Sequence, residues 1–450
     1  MKVGSRKLWK SGLLSAAIGG LLAGCSGVAL NKGGSGTSNR EGEGMPAPIS
    51  NEPVTIKIGA TVSAALNNEV MFQETVVEPV RRKYPHISIE YIPMGGNNPV
   101  KSIDDWISSG NIPDIILHAN GSMGELFTYD LMTDITPLVK QTGADLNRFD
   151  KAVLDSVRVA SDAGWLVGIP FSQNFNALYY NKDIFDKFAV GYPSDGMTWD
   201  QVIELSKRLA RNENGVQYSG LHPEWALRPA YPLALTIVDA KTGKSQLMNA
   251  QWKQVAELLQ RIAAVPGNWD GKTNRVDFWG KKTIAMLATT NVFTSIEPEA
   301  RKGFTYWDVA QYPSYTNQPG ISGMVDAWVM IVAKTSKHKE QAMQVINAVT
   351  SDEAQLLASA KYAQLSTLAN PAMKQQFGSQ LDSLNMKEKN LAGIFKGRIV
   401  GAPKFSPYER QVRSPFEGNM MKVFSGEMDV NSALRDADER TNKLLEERNQ

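Results

Sequence analysis

The chain has 450 residues, with 48 Lys and Arg against 46 Asp and Glu, 42% hydrophobic residues, four histidines and one cysteine. That length accommodates two or three domains of roughly 100–200 residues, or one large one, with enough apolar material for a sizeable core. The composition excludes a collagen, a coiled coil and a disordered tail. The formal charge of +2 argues against a nucleic-acid binder led by electrostatics. A single cysteine rules out an intrachain disulfide, and four histidines leave little material for a zinc site.

The chain opens on Lys2, Arg6, Lys7 and Lys10 with no acid among them, followed by an apolar run from Leu13 to Ala23. This is the layout of a secretory signal. The run is short of the roughly 20 residues a membrane span needs. It ends in Leu22-Ala23-Gly24-Cys25, which resembles a bacterial lipobox. That resemblance implies cleavage after residue 24 and a lipid on Cys25, the one cysteine of the chain. Cleavage there removes four basic residues and no acid, turning the formal charge of +2 into −2. Residues 25–52 are rich in Gly and Ser with almost no apolar periodicity, and read as a flexible tether. A Gly-rich coil of that length reaches about 25–30 Å.

The folded part reads as alternating strands and helices. Val54, Ile56 and Ile58 alternate with polar residues, as in a strand. Glu69 to Tyr84 has helical spacing, with Pro79 against it. Ile87, Ile89 and Tyr91 alternate again, Asp105 to Ser109 reads as helix, and Asp114 to Leu117 as a buried strand. This order predicts an α/β domain with mostly parallel strands. Thr198-Trp199-Asp200-Gln201 fits a capping box, with Val202, Leu205 and Leu209 on the buried face. Ala327 to Val332 predicts a buried strand. Ser336 is expected to cap a helix from Lys337, and Val430 to Leu445 is helical by spacing.

Catalytic and cofactor motifs fail on inspection. Gly267 to Thr273 has three residues between its glycines where a phosphate-cradling loop needs four. Gly320-Ile321-Ser322-Gly323 is one residue short of a nucleophile elbow. His86, His118, His222 and His338 show no metal-ligand spacing, and carboxylate pairs such as Asp104/Asp105 and Asp436/Asp438 read as solvated helix faces. No cofactor, metal or catalytic residue is expected.

Several segments in order resemble the extracellular solute-binding lipoproteins of bacterial ABC importers, in the branch that often takes carbohydrates. They include Gly110-Asn111-Ile112-Pro113-Asp114-Ile115, Leu131 to Leu138 and Gly164 to Pro170, where Val167 replaces the usual tyrosine. The most specific is Ala177-Leu178-Tyr179-Tyr180-Asn181-Lys182-Asp183-Ile184-Phe185. Pro193 through Asp200, Phe278 to Met286, Lys334 to Lys337 with Ala342, and Gly426 to Leu434 continue the series. The resemblance implies an α/β, two-lobed periplasmic-binding-protein-like fold, with discontinuous lobes joined by a hinge and ligand in the cleft. Lobe one is expected at 53–165 plus 300–350, and lobe two at 166–299 plus 351–450.

It further implies a monomeric, non-catalytic receptor, lipid-anchored on the outer face of the cell membrane of a Gram-positive bacterium. Such a receptor hands a carbohydrate or other small solute to ABC permease subunits. A sugar site needs flat apolar faces and groups that bond hydroxyls, set on loops at strand ends. The expected contacts are Ser63, Asn120, Ser122, Phe171, Gln173, Asn174, Trp225, Trp279, Asp326 and Trp328. Trp225 is flanked by His222, Glu224 and Arg228. Two other readings stay open: a surface-anchored polysaccharide-active enzyme, and an importer receptor for a non-sugar solute.

Overall fold

The computed structural model describes residues 49–62, 68–92, 99–224, 226–268 and 273–448. The expected signal segment, Cys25 and nearly all of the tether lie outside these residues, as do Ser63 and Trp225. Twelve strands form among the described residues: β1 (Val54–Ala60), β2 (Ile87–Ile92), β3 (Ile115–Ala119), β4 (Ile169–Gln173), β5 (Ala177–Asn181), β6 (Arg211–Glu213), β7 (Val216–His222), β8 (Ile284–Thr289), β9 (Trp307–Gln311), β10 (Ile321–Met324), β11 (Ala327–Val332) and β12 (Arg398–Val400).

They divide into two five-stranded sheets, β2-β1-β3-β11-β4 and β6-β7-β8-β5-β9, and the pair β10-β12. In the first sheet β1 runs parallel to β2 and β3, as the opening strand–helix alternation predicts. The late strand β11 enters antiparallel between β3 and β4. In the second sheet only β7 and β8 are parallel; β5 is antiparallel to both of its neighbours, and β6 to β7. The strand Ile169–Gln173 therefore belongs to the first sheet and Trp307–Gln311 to the second.

Each sheet has its own core. In the first lobe Ile56 and Ile58 from β1, Ile115 to Leu117 from β3 and Val329 to Val332 from β11 are buried together. Central strands covered on both faces need such continuous apolar runs. In the second lobe Trp252 meets Phe416 edge-on at 4.8 Å between ring centroids. A separate aromatic group there joins Tyr179, Phe293 and Trp307.

Local signals account for several elements. The capping box is present: Thr198 accepts from the Gln201 N–H and the Gln201 side chain accepts from the Thr198 N–H. Pro79 does not break its helix. The five residues before Glu78, Gln73–Val77, widen into a π-turn, and the Glu78 N–H reaches back to the Gln73 carbonyl. The wider turn makes room for a ring that would otherwise press on the carbonyl four residues back. The short helix expected before Gly110 extends over Pro99–Ser109.

Ser336 does not cap a helix at Lys337. The helix runs Lys339–Val349, and Ser336 instead accepts from the His338 N–H and donates to Asp114 Oδ1 at 2.6 Å. Asp114 also accepts from the Lys57 N–H at 3.0 Å. The Pro-Asp-Ile segment thus ties β1, β3 and the end of β11 together, which gives a physical reason for an aspartate there.

Asn268 does the same for the second lobe. Its buried amide bonds both backbone groups of Leu221, the Ile262 carbonyl and the Ser206 hydroxyl. Asn268→Ala is expected to lower unfolding stability by about 2–4 kcal/mol, because buried backbone groups lose their partners. Urea denaturation would measure it.

Candidate functional site

The chain passes from the first sheet to the second through Asn174–Asn176, and back through Val325–Asp326. Buried backbone at such passages must find partners. Asn174 donates its N–H to the Asp326 carbonyl at 2.8 Å, and Gln173 donates to the Leu365 carbonyl at 2.8 Å. Asn120, which follows β3, donates to the Val325 carbonyl and accepts from the Ala327 N–H, each at 3.0 Å. A third passage follows the helix Asp352–Tyr362: Ala363 packs in the aromatic group of the second lobe and Leu368 in the first core.

A charged cluster forms on this seam. Glu224 follows β7 and takes the left-handed backbone (φ 61°), a conformation costing a non-Gly residue about 1–3 kcal/mol. Its carboxylate is paired with the Arg275 guanidinium and lies 3.4 Å from Arg228 Nε. It also accepts from the Thr290 N–H at 3.4 Å. Arg228 Nη1 lies 3.4 Å from Asp326 Oδ2, and its guanidinium covers the Tyr231 ring at 4.7 Å. Asn174 Nδ2 completes the group at 3.4 Å from Asp326 Oδ2.

The electrostatics follow from burial and pairing. Burial pushes the Glu224 carboxyl up, but the charges of Arg228 and Arg275 and the hydrogen bonds around it hold it below the usual range. Burial opposes the charge on Arg228, and Tyr231, Glu224 and Asp326 more than offset it. His222 goes the other way: burial lowers it to about 4, so its ring is neutral at physiological pH. Its Nδ1 accepts from the Glu224 N–H at 2.9 Å, which puts the ring proton on Nε2, towards the Thr273 backbone.

The structure brings some of the expected contacts together. Asn120, Gln173, Asn174, Asp326 and Trp328 gather at the passages between sheets, with Ser122 one short turn beyond β3. Trp328 is half-buried at the second position of β11, paired with Ala119 and Ser172. The amides of Asn120 and Gln173 are bonded to backbone carbonyls, the latter to Ser366 at 2.8 Å. Phe171 turns into the first core and Trp279 into the aromatic group of the second lobe. Nothing is described for the side chains of Ser63 and Trp225. Sequence reasoning placed Glu224 and Arg228 beside Trp225 without naming them as contacts, and passed over Arg275 and Tyr231. The available signal was two opposite charges beside Trp225 in a segment bounded by Pro223 and Pro229.

Two α/β lobes with a seam of shared polar groups define the class of two-lobed binding proteins. The model of the bacterial extracellular solute-binding protein family matches residues 69–356, and the chain belongs to that family. Its fold is similar to that of the Listeria monocytogenes ABC substrate-binding protein solved with cycloalternan. That likeness has a TM-score of 0.71 at 19% identity, over 88% of this chain and 99% of that one. A sugar transporter structure from Rhizobium etli in an open conformation matches with a TM-score of 0.69 at 19% identity, over 86% and 99%. The sugar-binding protein MalE of Xanthomonas citri matches with a TM-score of 0.66 at 17% identity, over 88% and 98%. At these identities the likeness is one of fold. Among the described residues no helix is long and apolar enough to cross a membrane.

Glu224→Gln is expected to cost about 3 kcal/mol at pH 7, since it leaves Arg228 buried beside one carboxylate fewer. Arg275→Ala, at the exposed end of the pair, should cost under about 1 kcal/mol. The folded-state pKa of Glu224 is depressed, so its contribution is complete above the unfolded value of about 4.3 and is lost as pH falls through the folded value. The gap between wild type and Glu224→Gln should therefore close towards pH 3, which urea midpoints at the two pH values would show.

Proposed function

We propose that this protein is a membrane-anchored extracellular receptor that captures a carbohydrate or oligosaccharide between its lobes and delivers it to an ABC permease. Anchoring would be through a lipid on Cys25, with residues 25–52 as tether. The observation that carries the solute class is the seam cluster, in which each described cation is already matched by a carboxylate. Arg228 sits between Glu224 and Asp326, and Arg275 against Glu224. Such a surface offers lone pairs to hydroxyl donors without a net field that would favour an anion. The half-buried Trp328, two residues after Asp326, would supply a flat apolar face. The Listeria and Xanthomonas proteins of similar fold, described as bound to cycloalternan and as sugar-binding, support the same class.

The chemistry required is selective holding. Ligand contacts made to both lobes at once would favour the closed arrangement over the open one. The contacts proposed are Asn174, Asp326 and Trp328 at the passages, Glu224 and Arg228 from the second lobe, and Ser63 and Trp225, which follow β1 and β7 in the sequence. Asn120, Ser122 and Gln173 shape the first-lobe wall. The passages at 174–176 and 325–326, with the shift from Met373 in the first core to Phe377 in the second lobe, would divide the chain into a first lobe of about 53–173 plus 327–375 and a second lobe of the remainder. A glycosidase would need one carboxyl kept protonated as general acid. Glu224, held below the usual range and paired with two arginines, does not supply that acid.

A thermal-shift screen of the mature chain against neutral glycans, uronates, peptides, polyamines and phosphate compounds tests this reading. A neutral glycan recovered chemically unchanged is the expected hit, with stabilisation of about 2.7 kcal/mol at a hundredfold excess over Kd. Trp328→Ala and Asp326→Asn should then weaken binding about tenfold or more, the loss of one stacked face or one hydrogen bond. A hit confined to peptides or polyamines would overturn the solute class. Release of shortened products would overturn the receptor reading.

A further inference from the structure

The segment that follows β12 touches both lobes. The Val400 carbonyl accepts from the Val325 N–H at 2.9 Å, and Ala402 packs against Val153, Val325 and Ala327 on the first-lobe side. Lys404 is paired with Asp162. Phe405 and Pro407 then cross the turn after β3: a Cβ on Gly124 would lie a tight 3.0 Å from the Pro407 Cα, and one on Gly121 would make ordinary contact at 3.6 Å with the Phe405 ring. The next two charged residues part company. The buried Glu409 turns to the second lobe, where it accepts from the Ile237 and Val238 N–H groups at 2.6 and 3.1 Å. Arg410 turns to the first lobe and pairs with Glu125, which is 1% exposed. Val412 and Phe416 root the end of the segment in the second core.

Glu125 is the middle of a buried chain of polar groups. Its Oε1 lies 3.2 Å from Nε2 of the fully buried His118 at the end of β3. The other ring nitrogen, Nδ1, meets the Thr61 hydroxyl just after β1. That hydroxyl donates to the Leu117 carbonyl at 2.9 Å, so its oxygen is the acceptor towards the ring. Burial pushes the Glu125 carboxyl up, and His118 and Arg410 together hold it down. The Asn120–Ser122 turn is where β3 reaches the seam, and Thr61 holds the end of β1 against β3.

We propose that Arg410 is a positioning residue for the binding cleft: carried on a strap rooted in the second lobe, it sets the first-lobe strand ends through Glu125, His118 and Thr61. This rests on the receptor reading above only for what the cleft binds. The mechanical claim needs no ligand. Because consecutive residues hold opposite lobes, a change in lobe angle must load the Glu125–Arg410 pair, so the strap couples lobe angle to the geometry of the first-lobe wall.

Amide hydrogen exchange on the ligand-free mature chain tests it, with Arg410→Met, Arg410→Lys and the double variant Glu125→Gln/Arg410→Met. In Arg410→Met the amides of Thr61 and Ala327 should exchange tenfold faster or more, with the Ile237 and Val238 amides, held by Glu409, unchanged. Arg410→Lys should recover part of the protection by restoring the charge. The double variant removes both charges, so it folds even where a lone buried Glu125 does not, and it should show the same local acceleration. Unchanged exchange at Thr61 and Ala327 would overturn the proposal. So would an equal rise at Ile237 and Val238, which would mark a general loss of stability. A failed glycan screen would sink the solute class and leave this result standing.

Discussion

Two sheets built from one chain can be joined only by backbone that passes between them, and buried backbone must be hydrogen-bonded. That constraint organises this molecule. Asn174 bonds Asp326, Gln173 bonds Leu365, and the Asn120 side chain takes up the Val325 carbonyl and the Ala327 N–H. The passages therefore lie against one another. A bundle of adjacent crossings is a natural pivot, since few torsions need change for the lobes to move. It also puts polar side chains from both lobes within a few ångströms of one another, where a solute could bridge them.

The charges at the seam are balanced by pairing. Glu224 serves two arginines and Arg228 serves two carboxylates, one of them on the passage itself. Removing Glu224 would strand Arg228 in a poorly solvated place. The strained backbone at Glu224 persists because its N–H is taken by His222 and its carboxylate by both arginines. Strain held by surrounding contacts, at the end of a parallel strand, is the kind of feature that marks working sites in such folds. The neutral His222 adds a donor–acceptor bridge without adding charge.

Part of this was legible along the chain. The Thr198 capping box needs only neighbours three residues apart. The run Ala327 to Val332 became β11 with its bounds unchanged, because a strand buried on both faces has no polar position to misread. Elsewhere distant partners decided. Ser336 has the look of a helix cap, yet Asp114, more than two hundred residues away, holds its hydroxyl. Pro79 disturbs the helical spacing of Glu69 to Tyr84, yet a π-turn absorbs it. Phe171 and Trp279 looked like aromatic contacts, and each lies inside a core. An aromatic residue suits a sugar face and a core equally well, so composition cannot separate the two.

The amino-acid sequence by itself determined the strand–helix alternation, the ordered segments that carry the family resemblance, and the residues available at the strand ends. These depend on periodicity and on short-range backbone chemistry, which a linear reading retains. Tertiary structure alone decided that β11 enters antiparallel between β3 and β4, that Arg228 stands between Glu224 and Asp326, and that Glu409 and Arg410 hold opposite lobes. Each of these joins groups about a hundred residues apart or more, or depends on which way neighbouring side chains turn. Pairings of that kind are set by how the two sheets pack and where the chain passes between them.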